Sequence, residues 1–191
     1  MIKRGISHTS VSFIILLRAL SDQKLYNEVI SLYSKYFESS HPPPFPLDST
    51  IVDLTLKAAR SSENTEVFDR LLNMMLQIPE KGSNAHLRPS VYTFNIAIDA
   101  CKDDIEKAKK LLEKMLNPPY SLTPDLITLN TLLAICRNGK QPDVALSVCK
   151  NMFARFRVQP DTLTFTILLQ LKDDFAYFES VFEEMQKRKI A

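Results

Sequence analysis

The chain has 191 residues, 45% hydrophobic and 24% charged, which marks a globular rather than a disordered polypeptide, long enough for one domain or one short repeat array. A net charge of +2 argues against a uniformly basic nucleic-acid binder, so any cationic surface has to be local. Three cysteines without CxxC spacing and three scattered histidines argue against a disulfide framework, a zinc knuckle or any other metal site.

Residues 1–9 include Lys3 and Arg4, and no acid occurs before Asp22, a composition that resembles an organellar targeting segment. The most apolar run, Val11 to Leu17, falls short of the roughly 18 apolar residues that a membrane span needs. Ser10 to Leu20 is expected as an apolar helix. Leu25 to Phe37 is expected as a second, with Val29, Ile30, Leu32, Tyr33 and Tyr36 at helical spacing. The prolines between His41 and Pro46 forbid helix and predict an extended connection. Asp48 or Ser49 can cap the next helix, which carries Ile51, Val52, Leu54 and Leu56, and Thr65 to Leu76 is its partner. Gln77 to Ser90 is a polar loop. Val91 to Cys101 follows, with a partner helix starting at Asp103 and an apolar stripe of Ile105, Ala108, Leu111, Leu112 and Met115. Leu126 to Arg137 leads into the turn Asn138-Gly139-Lys140, and Pro142 suits the first turn of a helix ending near Ala154. Thr162 to Leu171 and Phe175 to Lys187 form a last pair.

One phrase recurs in this series. Arg88-Pro89-Ser90-Val91-Tyr92-Thr93-Phe94-Asn95 is followed by Thr123-Pro124-Asp125-Leu126-Ile127-Thr128-Leu129-Asn130, then by Gln159-Pro160-Asp161-Thr162-Leu163-Thr164-Phe165-Thr166. The equivalent residues Ser12, Ile51, Thr93, Thr128 and Thr164 lie at intervals of 39, 42, 35 and 36. Second helices share an apolar ending on Met75, Met115, Met152 and Met185. Cys101 and Cys136 occupy one repeated position, read as small buried core residues. Such spacing predicts an all-α fold, an α-solenoid of stacked helix-turn-helix repeats with one concave face, because one hairpin cannot bury its own apolar face. The expected organisation is a tail over 1–9 and one solenoid domain over 10–191. Its five repeats span 10–48, 49–90, 91–125, 126–161 and 162–191.

The Pro-Asp-x-x-Thr-x-Asn opening, the period near 35 and the Met-terminated second helix resemble the pentatricopeptide repeat family. The match is close in repeats three to five and degenerate in the first two. The rival tetratricopeptide pattern lacks its Trp here, since the chain has none. The resemblance implies a right-handed α-solenoid in which each repeat reads one RNA base. The reading pairs would be Asn95 with Asp125 and Asn130 with Asp161, both implying uracil. Tyr92 and Ile127, with Leu163 in repeat five, would pack on base faces. Departures from the pattern are Ile14, Asp53 (paired with Ser90) and Thr166 at the reading position of the other repeats.

Spacing adds one feature without the family. Positions seven apart share a helix face, and Arg60, Lys102 and Arg137 stand seven after Asp53, Asn95 and Asn130. They are candidates to meet RNA phosphates, or cations that complement helix dipoles in solvent. A further basic group, Arg137, Lys140, Lys150, Arg155 and Arg157, can likewise meet phosphate or form a solvated face. No nucleophile elbow, phosphate-cradling loop or HExxH motif is present, and Asp103-Asp104 and Asp173-Asp174 sit where helices start. The chain is therefore expected not to be an enzyme and to need no cofactor.

Two functions fit. One is a mitochondrial or, alternatively, plastid RNA-binding protein in RNA metabolism or translation. The other is a subunit docking on rRNA and protein subunits of a large ribonucleoprotein such as the mitochondrial ribosome. Two complete reading pairs give little selectivity, and Phe175, Phe178 and Phe182 in the last repeat are expected to lie uncapped.

Overall fold

In a computed structural model that describes residues 9–39, 45–171, 177, 179, 180 and 183, nine α-helices follow one another without a strand. They are α1 (Ser10–Asp22), α2 (Tyr26–Phe37), α3 (Ser49–Ser61), α4 (Thr65–Leu76) and α5 (Val91–Asp99), then α6 (Ile105–Leu116), α7 (Leu126–Asn138), α8 (Pro142–Phe156) and α9 (Thr162–Leu169). The odd-numbered helices are the first helices of the expected repeats and the even-numbered ones their partners.

The repeated phrase is a repeated helix start. Thr9, Asp48, Ser90, Asp125 and Asp161 are the N-caps of α1, α3, α5, α7 and α9, each accepting a backbone N–H of the first turn. Ser12, Ile51, Thr93, Thr128 and Thr164 stand three residues further on. Where that residue is Ser or Thr, its hydroxyl bonds back to the cap's N–H and closes a capping box. Ile51 has no hydroxyl, and Asp48 there accepts from the Thr50 N–H instead, at 2.7 Å.

Several helix ends differ from the sequence expectation. Helix α5 stops at Asp99 rather than Cys101, because the chain turns through Lys102 in the left-handed region, φ 60°. Asp104, not Asp103, caps α6, its carboxylate accepting the Lys107 N–H at 2.9 Å. Helix α8 runs to Phe156 and ends on Arg157 at φ 59°. Helix α9 ends at Leu169. The polar loop 77–90 contains a short 3-10 turn, Ala85–Leu87, whose Leu87 is buried. The expected helix Phe175 to Lys187, including Phe178 and Phe182, lies largely outside the described residues, of which Tyr177, Glu179, Ser180 and Glu183 are helical.

Two compact units divide the chain, Met1–Pro89 and Ser90–Ala191. In the first, α1 packs on α2 and α3, and α3 on α2 and α4. Its core joins Leu17, Val29, Ile51, Val52, Leu56 and Met75, all fully buried. Phe13 adds an aromatic cluster with Tyr36, Phe37 and Phe45 at centroid separations of 5.1, 5.8 and 5.5 Å.

In the second unit α7 packs on α5, α6, α8 and α9. Ile98, Leu129, Leu132, Leu133 and Cys136 are buried in one core cluster there. Met75, Met115 and Met152 are all buried, so the shared second-helix ending is a core position. Cys101 and Cys136 are free, buried thiols, as their repeated position implied; burial pushes Cys136 up to about 11. No helix of the described residues is long and apolar enough to cross a membrane.

Candidate nucleic-acid interface

The second unit builds the same side-chain arrangement twice. Asp125 caps α7, and its Oδ1 accepts the Thr128 N–H at 2.8 Å. The same oxygen accepts the Asn95 amide Nδ2–H, from the preceding first helix, at 3.1 Å. The Thr128 hydroxyl accepts the Asp125 N–H at 3.1 Å. It lies 2.7 Å from Asn95 Oδ1 and 2.9 Å from Asp125 Oδ1, the shorter contact being with Asn95. One step along, Asn130 Nδ2 donates to Asp161 Oδ1 at 3.3 Å, and the Thr164 hydroxyl donates to Asn130 Oδ1 at 2.7 Å. Thr164 N–H and Asp161 N–H complete the second capping box at 2.8 and 3.0 Å.

The structure thus joins both expected pairs, Asn95 with Asp125 and Asn130 with Asp161, by direct hydrogen bonds between successive first helices. Each Asn is five residues into its helix and each Asp caps the next, so stacking alone puts them in reach. Burial raises the Asp125 carboxyl, but bonds from Thr128, Asn95 and Ile127 outweigh it and hold the group below its usual 3.8. Asp161 is held low in the same balance, burial opposed by Thr164 and Asn130. Both carboxylates are therefore ionised at neutral pH.

Chemically, each pair has capacity left over. Its amide carries a second hydrogen and its carboxylate a second oxygen, so a donor and an acceptor stand side by side. Tyr92, Ile127 and Leu163 occur three residues before Asn95, Asn130 and Thr166, hence on the same helix face. They are 43%, 59% and 54% exposed, and among the described residues they are the large apolar side chains of the second unit that stand out into solvent, as Val11, Ile15, Leu16 and Leu25 do in the first. Exposed apolar surface beside a donor–acceptor pair is a platform for a flat heteroaromatic ring. Thr166 differs from the two Asn residues, since its hydroxyl is committed to the Thr162 carbonyl at 2.8 Å.

The three candidate cations behave differently. Arg60 is in the last turn of α3, as expected, seven residues after the buried Asp53. Arg137 is in the last turn of α7, where one guanidinium nitrogen donates to Gln170 Oε1 at 3.0 Å. Lys102 corrects the spacing argument: α5 has already ended, so Lys102 does not continue the face that carries Asn95. Its backbone carbonyl accepts the Asn138 amide at 3.2 Å instead, which sets Lys102 beside the end of α7 and Arg137. Gly139 serves this approach, because a Cβ there would stand 3.1 Å from the Asp103 carbonyl oxygen. Arg60 belongs to the first unit and Lys102 and Arg137 to the second.

Thr128 and Thr164 mark the register of the repeats in the sequence, but their part in the site was not expected there, although Asp-x-x-Thr is a capping-box spacing and signals a hydroxyl held at the helix start. Gln170 as the partner of Arg137 had no sequence signal. Among the described residues, no group of three His, Cys, Asp or Glu side chains could hold a metal ion.

Helical hairpins stacked at this period, with first helices joined cap to side chain, define the class of α-solenoid repeat proteins. More particularly, the fold is that of the pentatricopeptide repeat proteins. It matches the pentatricopeptide repeat protein PPR10 in complex with an 18-nt psaJ RNA element, with a TM-score of 0.74 and 21% identity over 96% of this chain and 26% of that one. It also matches the repeat domain of Arabidopsis thaliana protein-only RNase P 1 in complex with tRNA, TM-score 0.67 and 16% identity over 92% and 88% of the two chains. In sequence, the chain is 24% identical over 195 aligned positions to a pentatricopeptide repeat-containing protein of Arabidopsis thaliana. These likenesses bear out the family resemblance of the repeated phrase. The chain spans about a quarter of the length of that curated relative, 24%. No protein-family model matches the chain.

Proposed function

We propose that this chain binds single-stranded RNA, and that Asn95–Asp125 and Asn130–Asp161 each contact one base. The observation that carries the reading is the twofold recurrence of one bonded Asn–Asp pair beside an exposed apolar residue. A uracil edge offers an N–H next to a carbonyl oxygen. Such an edge complements a carboxylate acceptor next to an amide donor, whereas cytosine would turn a ring acceptor toward the carboxylate. Tyr92 and Ile127 stack on the two bases, Arg137 meets phosphate from the last turn of α7, and Lys102 does so from the turn after α5, beside that end of α7. Arg60 makes the corresponding contact in the first unit. Two proteins of this fold are solved with RNA, which supports the assignment of ligand class. The role is binding rather than chemistry.

The test is affinity for an oligomer carrying two adjacent uracils, comparing the wild type with the Asn95→Ala/Asn130→Ala variant. Weaker binding by the variant is expected; equal affinity rejects base contact by these pairs.

A second reading is favoured by the scarcity of complete pairs, since two readable bases recur in almost any RNA and give little selectivity. In it, the chain docks on rRNA and protein subunits of a large organellar ribonucleoprotein such as the mitochondrial ribosome. Co-sedimentation with such a particle, retained in the Asn95→Ala/Asn130→Ala variant, supports this second reading over the first. The site of action proposed for either is the mitochondrion, with the plastid as alternative, on the basic, acid-free start of the sequence. A fluorescent fusion that stays in the cytosol contradicts it.

A further inference from the structure

Thr128 and Thr164 belong to neither base-contacting pair, yet each joins one. We propose that these two threonines are positioning residues for base selection: each fixes the amide of the preceding repeat's asparagine and thereby determines which base edge the Asn–Asp pair accepts. The inference rests on the reading of Asn95–Asp125 and Asn130–Asp161 as base contacts.

The geometry points to this role in three ways. Both threonines are 0% exposed, so neither can touch a ligand, and any influence has to pass through a neighbour. Each hydroxyl receives the N–H of its own cap residue, at 3.1 Å from Asp125 and 3.0 Å from Asp161. That leaves its single hydrogen to donate, and two acceptors stand in reach: the asparagine Oδ1, nearer at 2.7 Å in both repeats, and its own cap's Oδ1, at 2.9 Å from Thr128 and 2.8 Å from Thr164. Each amide is therefore clamped at both ends: oxygen on threonine, nitrogen on aspartate. A clamped amide presents its second N–H in one direction. With one bond gone, the amide is free to rock, and the donor that meets a uracil carbonyl is no longer fixed.

The recurrence is informative because the two threonines already have a structural role as capping-box partners. A cap requires only contacts within one helix start. The additional contact across to the previous first helix ties helix stacking to amide orientation. Thr93 closes the equivalent box of α5 with Ser90, whose hydroxyl stands where the other two repeats have a carboxylate.

The experiment compares wild type, Thr128→Val/Thr164→Val and Thr128→Ser/Thr164→Ser. Each is titrated with an RNA oligomer carrying adjacent uracils and with the same oligomer carrying cytosines there. The expected result is that the valine variant loses about tenfold in the uracil-to-cytosine preference while the serine variant keeps it. A purely structural threonine would lower both affinities together and leave the ratio alone. An unchanged ratio in the valine variant, beside a wild type that prefers uracil, overturns the inference and spares the base-reading assignment. A wild type without preference overturns both. Should the double valine variant melt below the assay temperature, Thr128→Ala alone carries the test. It is expected to relax selection at the base held by Asn95 and Asp125 and not at the next; equal loss at both positions contradicts the proposal.

Discussion

The Asn95 amide donates to Asp125 Oδ1 across 3.1 Å, although the two residues are 30 positions apart. The bond couples a fold contact to a ligand contact: Asp125 starts one helix and finishes the site begun by the previous one. Replacing Asp125 by Ala removes both roles. Loss of the cap alone is expected to cost about 0.5–2 kcal/mol of stability. Urea unfolding of Asp125→Ala against Asp125→Asn separates the roles, because asparagine also caps. A loss confined to the alanine variant assigns the cost to the cap.

Acid should weaken this arrangement. The Asp125 and Asp161 carboxyls are held below their usual 3.8, so folding favours their ionised forms. Their contribution is fully present above that unfolded value and is lost as pH falls through the lower folded values. Thermal unfolding between about pH 6 and pH 3 is expected to fall less steeply in Asp125→Asn/Asp161→Asn than in the wild type. Parallel curves would contradict the assignment.

Helix α7 allows packing and binding to be told apart. Leu132 is fully buried and Ile127 is 59% exposed on the same helix. Leu132→Ala is expected to destabilise the chain by about 2–5 kcal/mol, through the cavity it leaves. Ile127→Ala is expected to stay within about 0.5 kcal/mol in stability while weakening RNA binding by about 1–3 kcal/mol. Denaturant midpoints and RNA titration on the same samples check both.

The cations predict a salt signature. If Arg137 meets a phosphate, Arg137→Ala lowers the slope of log affinity against log salt by about 0.7, with little change in base preference. Lys102→Ala behaves likewise. An unaltered slope would leave Arg137 as a partner of Gln170 alone.

Most of the helix pattern was legible because each start carries its own local chemistry. Asp48 is a cap by residue type, and the intervals between Ser12, Ile51, Thr93, Thr128 and Thr164 imply the stacking; in the structure Ser90, Asp125 and Asp161 prove to be caps as well. The ends were less legible. Helix α5 ends early through a left-handed Lys102, a conformation that lysine does not advertise, and this moved a candidate cation off its expected face. Of the site, the Asn–Asp pairs were legible only through family resemblance. Spacing alone says that residues 30 apart share a repeat boundary, not that they bond. The role of Thr128 was hidden for the opposite reason. Its local part as a capping partner accounts for its presence, so nothing in the sequence called for the second bond to Asn95.

The most direct test of base contact by Asn95–Asp125 and Asn130–Asp161 is the dissociation constant of the wild-type chain for one RNA oligomer carrying either two uracils or two cytosines at adjacent positions. About tenfold or more in favour of uracil is expected, abolished in Asn95→Ala/Asn130→Ala. Equal dissociation constants for the two oligomers in the wild type would contradict base contact by these pairs.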